Sequence, residues 1–186
     1  MKWIKNLSTI TLVFNISQFF SSLNYYLLLW ILGKTGSDPK VIQFFSNYLI
    51  SRKTWYFWNS FSLQFFNVNI GMGQGSVLSS ILSVIYLAPT LHILENHLQI
   101  LKISVSILYF IDNGLLIAQS KSFSISNSLL CCSYNIISNL LTNFGLVTEQ
   151  SKTEVFHFSR SIGNFNPPPL DLSALRGPIL YPKETW

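Results

Sequence analysis

The sequence predicts an α+β protein, with helices packed on one face of an antiparallel sheet. Short β-branched or apolar runs alternate with longer segments of helical periodicity, in the order strand, helix, helix, hairpin, helix, hairpin, helix, strands. Hairpin-like connections join strand pairs, which makes those neighbours antiparallel. Hydrophobic residues are 49% and aromatics 15% of the 186 residues, enough for one domain with a real core.

The first strand is Thr9 to Asn15, where Ile10, Leu12, Val13 and Phe14 are β-branched or apolar. Phe19 to Leu32 turns helical, with Leu23, Leu27, Trp30 and Ile31 along one face, and Gly33 stops it. Asp38 caps a second helix, Pro39 to Ile50, whose apolar side is Val41, Phe44, Phe45, Tyr48 and Leu49. Trp55–Phe57 and Phe65–Ile70 read as paired strands around Asn59-Ser60. A glycine-rich loop, Gly71-Met72-Gly73-Gln74-Gly75, opens a long helix from Ser76 to about Leu98. A hairpin from Ile103 to Ala118 follows, then a helix from Ser126 to Phe144, closed by Gly145. Leu146–Thr148 and Glu154–Phe158 are expected to pair as the last strands. From Asn166-Pro167-Pro168-Pro169 onward the pattern is irregular, and no internal repeat is present.

Composition narrows the function. The net charge of +5 and pI near 9.3 favour a polyanionic partner, yet Lys2, Lys5, Lys34, Arg52, Lys53, Lys102, Lys152 and Arg160 are scattered. Cys131 and Cys132 are adjacent and have no second pair, which excludes a disulfide framework and a four-ligand zinc site. Charged residues are only 10%, so membrane insertion has to be weighed. The best window, Val77–Leu94, contains Pro89 and His92 and fits a buried helix better than a span. Met1–Ser22 has a basic start and an apolar middle, but its many amides and lack of a small-residue cleavage site do not make a signal peptide. The expected location is intracellular, nuclear or cytoplasmic.

The chemistry-bearing segment is Tyr109-Phe110-Ile111-Asp112-Asn113-Gly114, between the apolar runs Ile103–Ile111 and Leu115–Ala118. Asp112 is the only acid in the 53 residues from Asn96 to Thr148. Two readings stand side by side: a turn built on Asn-Gly, a strong hairpin signal, or a tip that presents a carboxylate to a metal ion. In a plausible sheet the first strand ends beside this tip, so Asn15 and Asp112 meet.

Four segments, in this order, resemble the palm of a reverse transcriptase, and most closely that of non-LTR (LINE-like) retrotransposons of fungal type. Phe14-Asn15-Ile16-Ser17-Gln18-Phe19-Phe20 is similar to the family's strand-to-helix segment. The resemblance implies an aspartate position at Asn15, a backbone carbonyl ligand at Ile16, and at Phe20 the ring that leaves no room for a ribose 2′-OH. Gly73-Gln74-Gly75-Ser76 looks like the loop that lets backbone approach template and nucleotide, which implies binding roles for Gln74 and Gly75. It lacks the spacing of a P-loop. Phe110-Ile111-Asp112-Asn113 resembles the aromatic-x-Asp-Asp signature. Gly145-Leu146-Val147 followed by Lys152-Thr153-Glu154 is similar to the segment whose lysine lies near the phosphates. The resemblance implies RNA-directed DNA synthesis on an RNA template and DNA primer from deoxynucleotides. Two Mg²⁺ ions would serve an in-line displacement, with Asp112 and the Ile16 carbonyl among their ligands.

The chain departs from that pattern where charge matters most. Asn15 and Asn113 stand where the family has aspartate, so one carboxylate of three is left, and an amide offers only a neutral oxygen. Neither Asp38, Glu95 nor Glu149 is near in sequence. Impaired metal binding and little or no polymerase activity are expected. Each Asp-to-Asn change needs one G-to-A transition, and Ser21 and Ser80 stand where related sequences often carry proline, a pattern expected of a degraded element copy. By this reading residues 1–165 are a partial palm, fingers and thumb are largely absent, and 166–186 is a Pro-rich irregular segment leading toward a missing primer grip. The competing readings are a non-catalytic nucleic-acid-binding remnant and a small membrane protein.

Overall fold

The computed structural model describes residues 8–59, 61–62, 64–101, 103–158, 168–173 and 177–183. Ser60, Lys102 and Arg160, and the first residues of the weighed signal segment, lie outside them. In chain order the elements are β1 (Ser8–Ser17), α1 (Phe19–Ser22), α2 (Tyr25–Lys34), α3 (Pro39–Leu49), β2 (Arg52–Thr54), β3 (Phe57–Trp58), β4 (Phe61–Ser62), β5 (Phe66–Val68), α4 (Val77–Ile100), β6 (Val105–Phe110), β7 (Asn113–Ser120), α5 (Phe123–Asn143), β8 (Val147–Phe158), β9 (Leu170–Asp171) and β10 (Ile179–Leu180). They divide into two compact units. One takes its described residues from Met1–Ser17, Thr90–Asn143 and Val147–Trp186, the other from Gln18–Pro89 and Phe144–Leu146.

The first unit holds the α+β core that the alternation of patterns predicts. Its four-stranded sheet has the order β6-β7-β1-β8, antiparallel at every step. Along β1 burial alternates with the period of a strand: Ile10, Leu12, Phe14 and Ile16 are buried, while Thr9, Thr11, Val13, Asn15 and Ser17 are half-buried. The buried face is covered by α5, which presents Leu130, Tyr134, Ile137 and Leu141, with the rings of Tyr134 and Phe14 meeting edge to face at 5.7 Å. The opposite face stays open and carries exposed Leu108 and Phe110.

Two expectations about this unit are corrected. Leu146–Thr148 and Glu154–Phe158 do not pair with each other; residues 147–158 form one strand lying along β1. β8 advances from Glu149 to Glu154 while β1 advances from Asn15 to Val13, so residues 150–153 bulge out. Thr153 closes the bulge by donating from Oγ1 to the Glu149 carbonyl at 3.1 Å. Beyond residue 168, where no alternation marks a strand, β9 and β10 form a short antiparallel pair that buries Leu170 and Leu172.

The second unit contains α1 to α3 and the β2–β5 hairpin. The expected helix from Phe19 to Leu32 is broken at Leu23-Asn24, because the Asn24 side chain accepts the Leu27 N–H (3.2 Å) and starts a new helix. The break rotates the buried face to Tyr25, Leu28, Ile31 and Leu32 and leaves Trp30 exposed. Asp38 caps α3 through the Lys40 N–H at 2.7 Å, and only Phe45 and Leu49 of its apolar side are buried. Arg52 stacks 5.2 Å over the Tyr25 ring and donates to the Tyr25 hydroxyl and the Gly71 carbonyl. Tyr25 in turn donates to the Ile70 carbonyl at 2.7 Å, so a residue that composition marks as a scattered cation secures the base of the hairpin.

α4 is long and apolar enough to cross a membrane by length and composition. Ser79, Leu82, Ser83, Tyr86, Leu87, Thr90, Leu94 and Leu98 are buried at helical spacing, the pattern of a core helix with one covered stripe.

His157, on β8 opposite Ile10, is buried, stacks on Phe123 at 5.1 Å, and has neither ring nitrogen hydrogen-bonded among the described residues. Burial lowers its pKa from 6.5 to about 4. Between those values the unfolded chain takes up a proton that the native protein refuses, so stability is full above pH 6.5 and is lost as pH falls toward 4. Wild type should lose about 2–3 kcal/mol more than His157→Phe between pH 7 and pH 4, read from urea midpoints.

Candidate functional site

The site is built at one end of the β1–β7 pair. Phe110 pairs with Asn113, so the two-residue turn is Ile111-Asp112, not Asn113-Gly114 as an Asn-Gly turn requires. Ile111 has φ 57°, a left-handed conformation that costs a β-branched residue about 1–2 kcal/mol. The Ile16 N–H donates to the Asp112 carbonyl at 2.7 Å and so fixes the turn against the end of β1.

Gly114 has a different role from the one an Asn-Gly turn assigns. It sits in β7 opposite Phe14, and a Cβ added there would lie 2.1 Å from the Phe14 ring. That ring is fully buried and also meets Tyr109 edge to face at 5.8 Å. The glycine lets β7 lie flat over the ring, which sets the β1–β7 register and puts Asn113 directly across from Asn15.

The three polar side chains close on one another. Asn15 Nδ2 donates to Asp112 Oδ2 and to Asn113 Oδ1, both at 3.2 Å. Asn113 Nδ2 donates to Asp112 Oδ1 at 3.1 Å. Both carboxylate oxygens therefore accept amide N–H groups, on the atoms a cation would use.

Glu149 is the residue the linear reading sets aside. β8 lies on the other side of β1 and pairs Glu149 with Asn15, so an acid remote in sequence is the cross-strand neighbour of Asn15. The strand after Gly145 signals it, but the bulge hides the register. Lys152, within the bulge, holds its ammonium 2.9 Å from the Glu149 carboxylate, and this hydrogen bond lowers the Glu149 pKa. Lys152 is thus tied to Glu149 at the edge of the site.

Phe20, Gln74 and Gly75 belong to the second unit. Phe20 is half-buried against Phe19, with ring centroids 5.4 Å apart, and its carbonyl accepts the Met72 N–H at 2.6 Å. Gln74 and Gly75 are exposed in a turn, and Gly75 takes φ 84°. The close backbone approach falls to Gly71, where a Cβ would lie 2.7 Å from the Ser21 carbonyl oxygen. Ser79 Oγ ties the loop to α4 by donating to the Gly73 carbonyl at 2.8 Å.

A small antiparallel sheet backed by a helix, with an acid on a tight turn beside the end of its central strand, defines a polymerase palm-like fold. Telomerase from Candida tropicalis has a similar structure: in complex with a TWJ fragment of telomeric RNA, it superposes with TM-score 0.67 and 16% identity over 86% of this chain and 27% of that one. The apo form gives 0.63 and 16% over 88% and 30%. The chain thus spans less than a third of the length of those telomerases. No curated protein matches the sequence. The family model for reverse transcriptase (RNA-dependent DNA polymerase) matches residues 2–176, and the chain belongs to that family.

The family uses divalent metal ions, and the residues present do not fit a pair of them. A two-cation site needs several hard anionic oxygens. Here one carboxylate stands at the tip, its oxygens accept N–H donors, and the neighbouring acid is paired to a lysine. Turning the amides over would add neutral carbonyl oxygens but no charge. The described residues contain no group of three His, Cys, Asp or Glu able to hold a metal.

Two substitutions test this local architecture. Gly114→Ala should cost about 1–3 kcal/mol by urea denaturation, since the buried Phe14 ring has to move. Tyr109→Phe should leave stability unchanged or raise it by about 1 kcal/mol, because the buried Tyr109 hydroxyl has no partner among the described residues.

Proposed function

We propose that this chain is the palm of a non-LTR retrotransposon reverse transcriptase whose nucleotidyl transfer has been lost, and that it retains contact with nucleic acid. The observation that carries the proposal is the closed Asn15–Asp112–Asn113 network, in which amide donors satisfy the one remaining carboxylate. The family match supports RNA-directed DNA synthesis as the ancestral activity and nucleic acid as the partner. The two asparagines are one transition each from aspartate, which supports a decayed element copy; coding DNA lacking such transitions relative to intact copies overturns that part.

The activity reading is tested by restoring charge. In Asn15→Asp/Asn113→Asp, three carboxylates repel one another until a cation binds. Its thermal midpoint should rise by about 5–10 °C in Mn²⁺ or Mg²⁺ at about 100 times Kd. Wild type should shift by no more than about 1 °C under the same conditions. Metal-dependent incorporation by wild type on a primed template, abolished by Asp112→Ala, defeats the proposal.

A further inference from the structure

The β2–β5 hairpin of the second unit displays its aromatic residues instead of burying them. Trp55, Tyr56, Phe57, Trp58, Phe61 and Phe65 are 53%, 67%, 68%, 78%, 66% and 63% exposed. The ladder runs Arg52↔Val68, Lys53↔Asn67 and Thr54↔Phe66, then Phe57↔Ser62 and Trp58↔Phe61 toward the tip. Successive residues of a strand point to opposite faces, so Phe57 and Trp58, both exposed in β3, put rings on both faces. Between the two ladders Trp55 meets Phe65 at 4.8 Å and Tyr56 meets Phe66 at 5.7 Å. A hairpin made to lie on a protein core is apolar on one face and polar on the other. This one is aromatic on both, with exposed Asn59, Gln64 and Asn67 interleaved.

Charge is distributed to match. Residues 18–89 contain Lys34, Lys40, Arg52 and Lys53 against a single acid, Asp38, whose carboxylate caps α3. No acid occurs between Asp38 and Glu95. Arg52 is committed to the hairpin base and Lys53 is exposed on β2. Neutral rings at the tip, a cation at the base and no carboxylate between them are the elements of a single-strand platform, where bases stack on rings and the backbone follows positive charge. A rigid protein surface covers one face of a hairpin, whereas a flexible strand can use rings on both.

We propose that the 55–65 hairpin is a stacking platform for single-stranded nucleic acid, separate from the Asp112 tip. The choice of a nucleic acid over another partner rests also on the family reading above. The test is titration of the full chain with a 12-nucleotide oligouridylate (a length on the order of one single-strand binding site), read by tryptophan quenching and by anisotropy of a labelled oligomer. Wild type should bind with quenching, Trp58→Ala and Tyr56→Ala should each weaken binding about tenfold, and Trp58→Phe, which keeps a ring, should retain most of it. Lys53→Gln should reduce the salt slope by about 0.7. Because these side chains are exposed, the variants should keep the wild-type circular dichroism. Binding unaltered in the ring variants overturns the platform while leaving the nucleic-acid reading intact. No binding at all overturns both. Ring-dependent self-association, or ring-dependent binding to phosphatidylcholine vesicles without oligouridylate binding, assigns the hairpin to another occupant and overturns the platform.

Discussion

The fit of the Phe14 ring over the bare backbone of Gly114 fixes more of this protein than any charged group. A Cβ at residue 114 would lie 2.1 Å from that ring, so β1 and β7 come together in this register without displacing the ring only with glycine there. A slip by one residue would turn the Ile10-Leu12-Phe14-Ile16 face away from α5. The same register carries Asn15 to the edge where β7 begins, and the Ile16 N–H then holds the turn. The polar tip is thus positioned by apolar packing one residue away, on the opposite face of the sheet.

Much of this was legible in the sequence because it depends on local pattern. The alternation in β1, the apolar runs flanking Asp112, the Asp38-Pro39 helix start and the Gly145 stop each act over a few residues and recur in the fold. What was not legible depends on long-range pairing. Asn113-Gly114 carries the strongest turn signal of the hairpin, yet the turn lies at Ile111-Asp112, because Gly114 is needed under Phe14. The Phe19–Leu32 periodicity runs through a break that one capping side chain introduces at Asn24. Glu149 becomes a neighbour of Asn15 only through a bulged strand that no spacing rule anticipates.

The candidate site shows how little backbone change separates a metal-binding tip from a self-satisfied one. An aspartate and an asparagine are nearly the same size, so either residue at 15 and 113 leaves the strand ends able to pair. The change lies in hydrogen-bonding sense: an ionised carboxylate only accepts, whereas an amide also donates. Amide donors stand on two sides of Asp112, and the three side chains form a ring of complementary partners where three acids would need a cation. The Lys152–Glu149 pair at the edge follows the same logic, with the lysine balancing the acid beside Asn15.

The strand position of Asn113 also bears on the chemical lifetime of the site. An asparagine followed by glycine is prone to lose ammonia when the next backbone nitrogen attacks its side-chain carbonyl carbon, leaving aspartate or isoaspartate. That attack requires the backbone to fold toward the side chain. In the native protein Asn113 is extended in the ladder, paired with Phe110 on one side and Asn15 on the other, and its amide is held at both ends. Folding therefore preserves the neutral residue that closes the network. Ageing of the unfolded chain would place a negative charge there by hydrolysis alone.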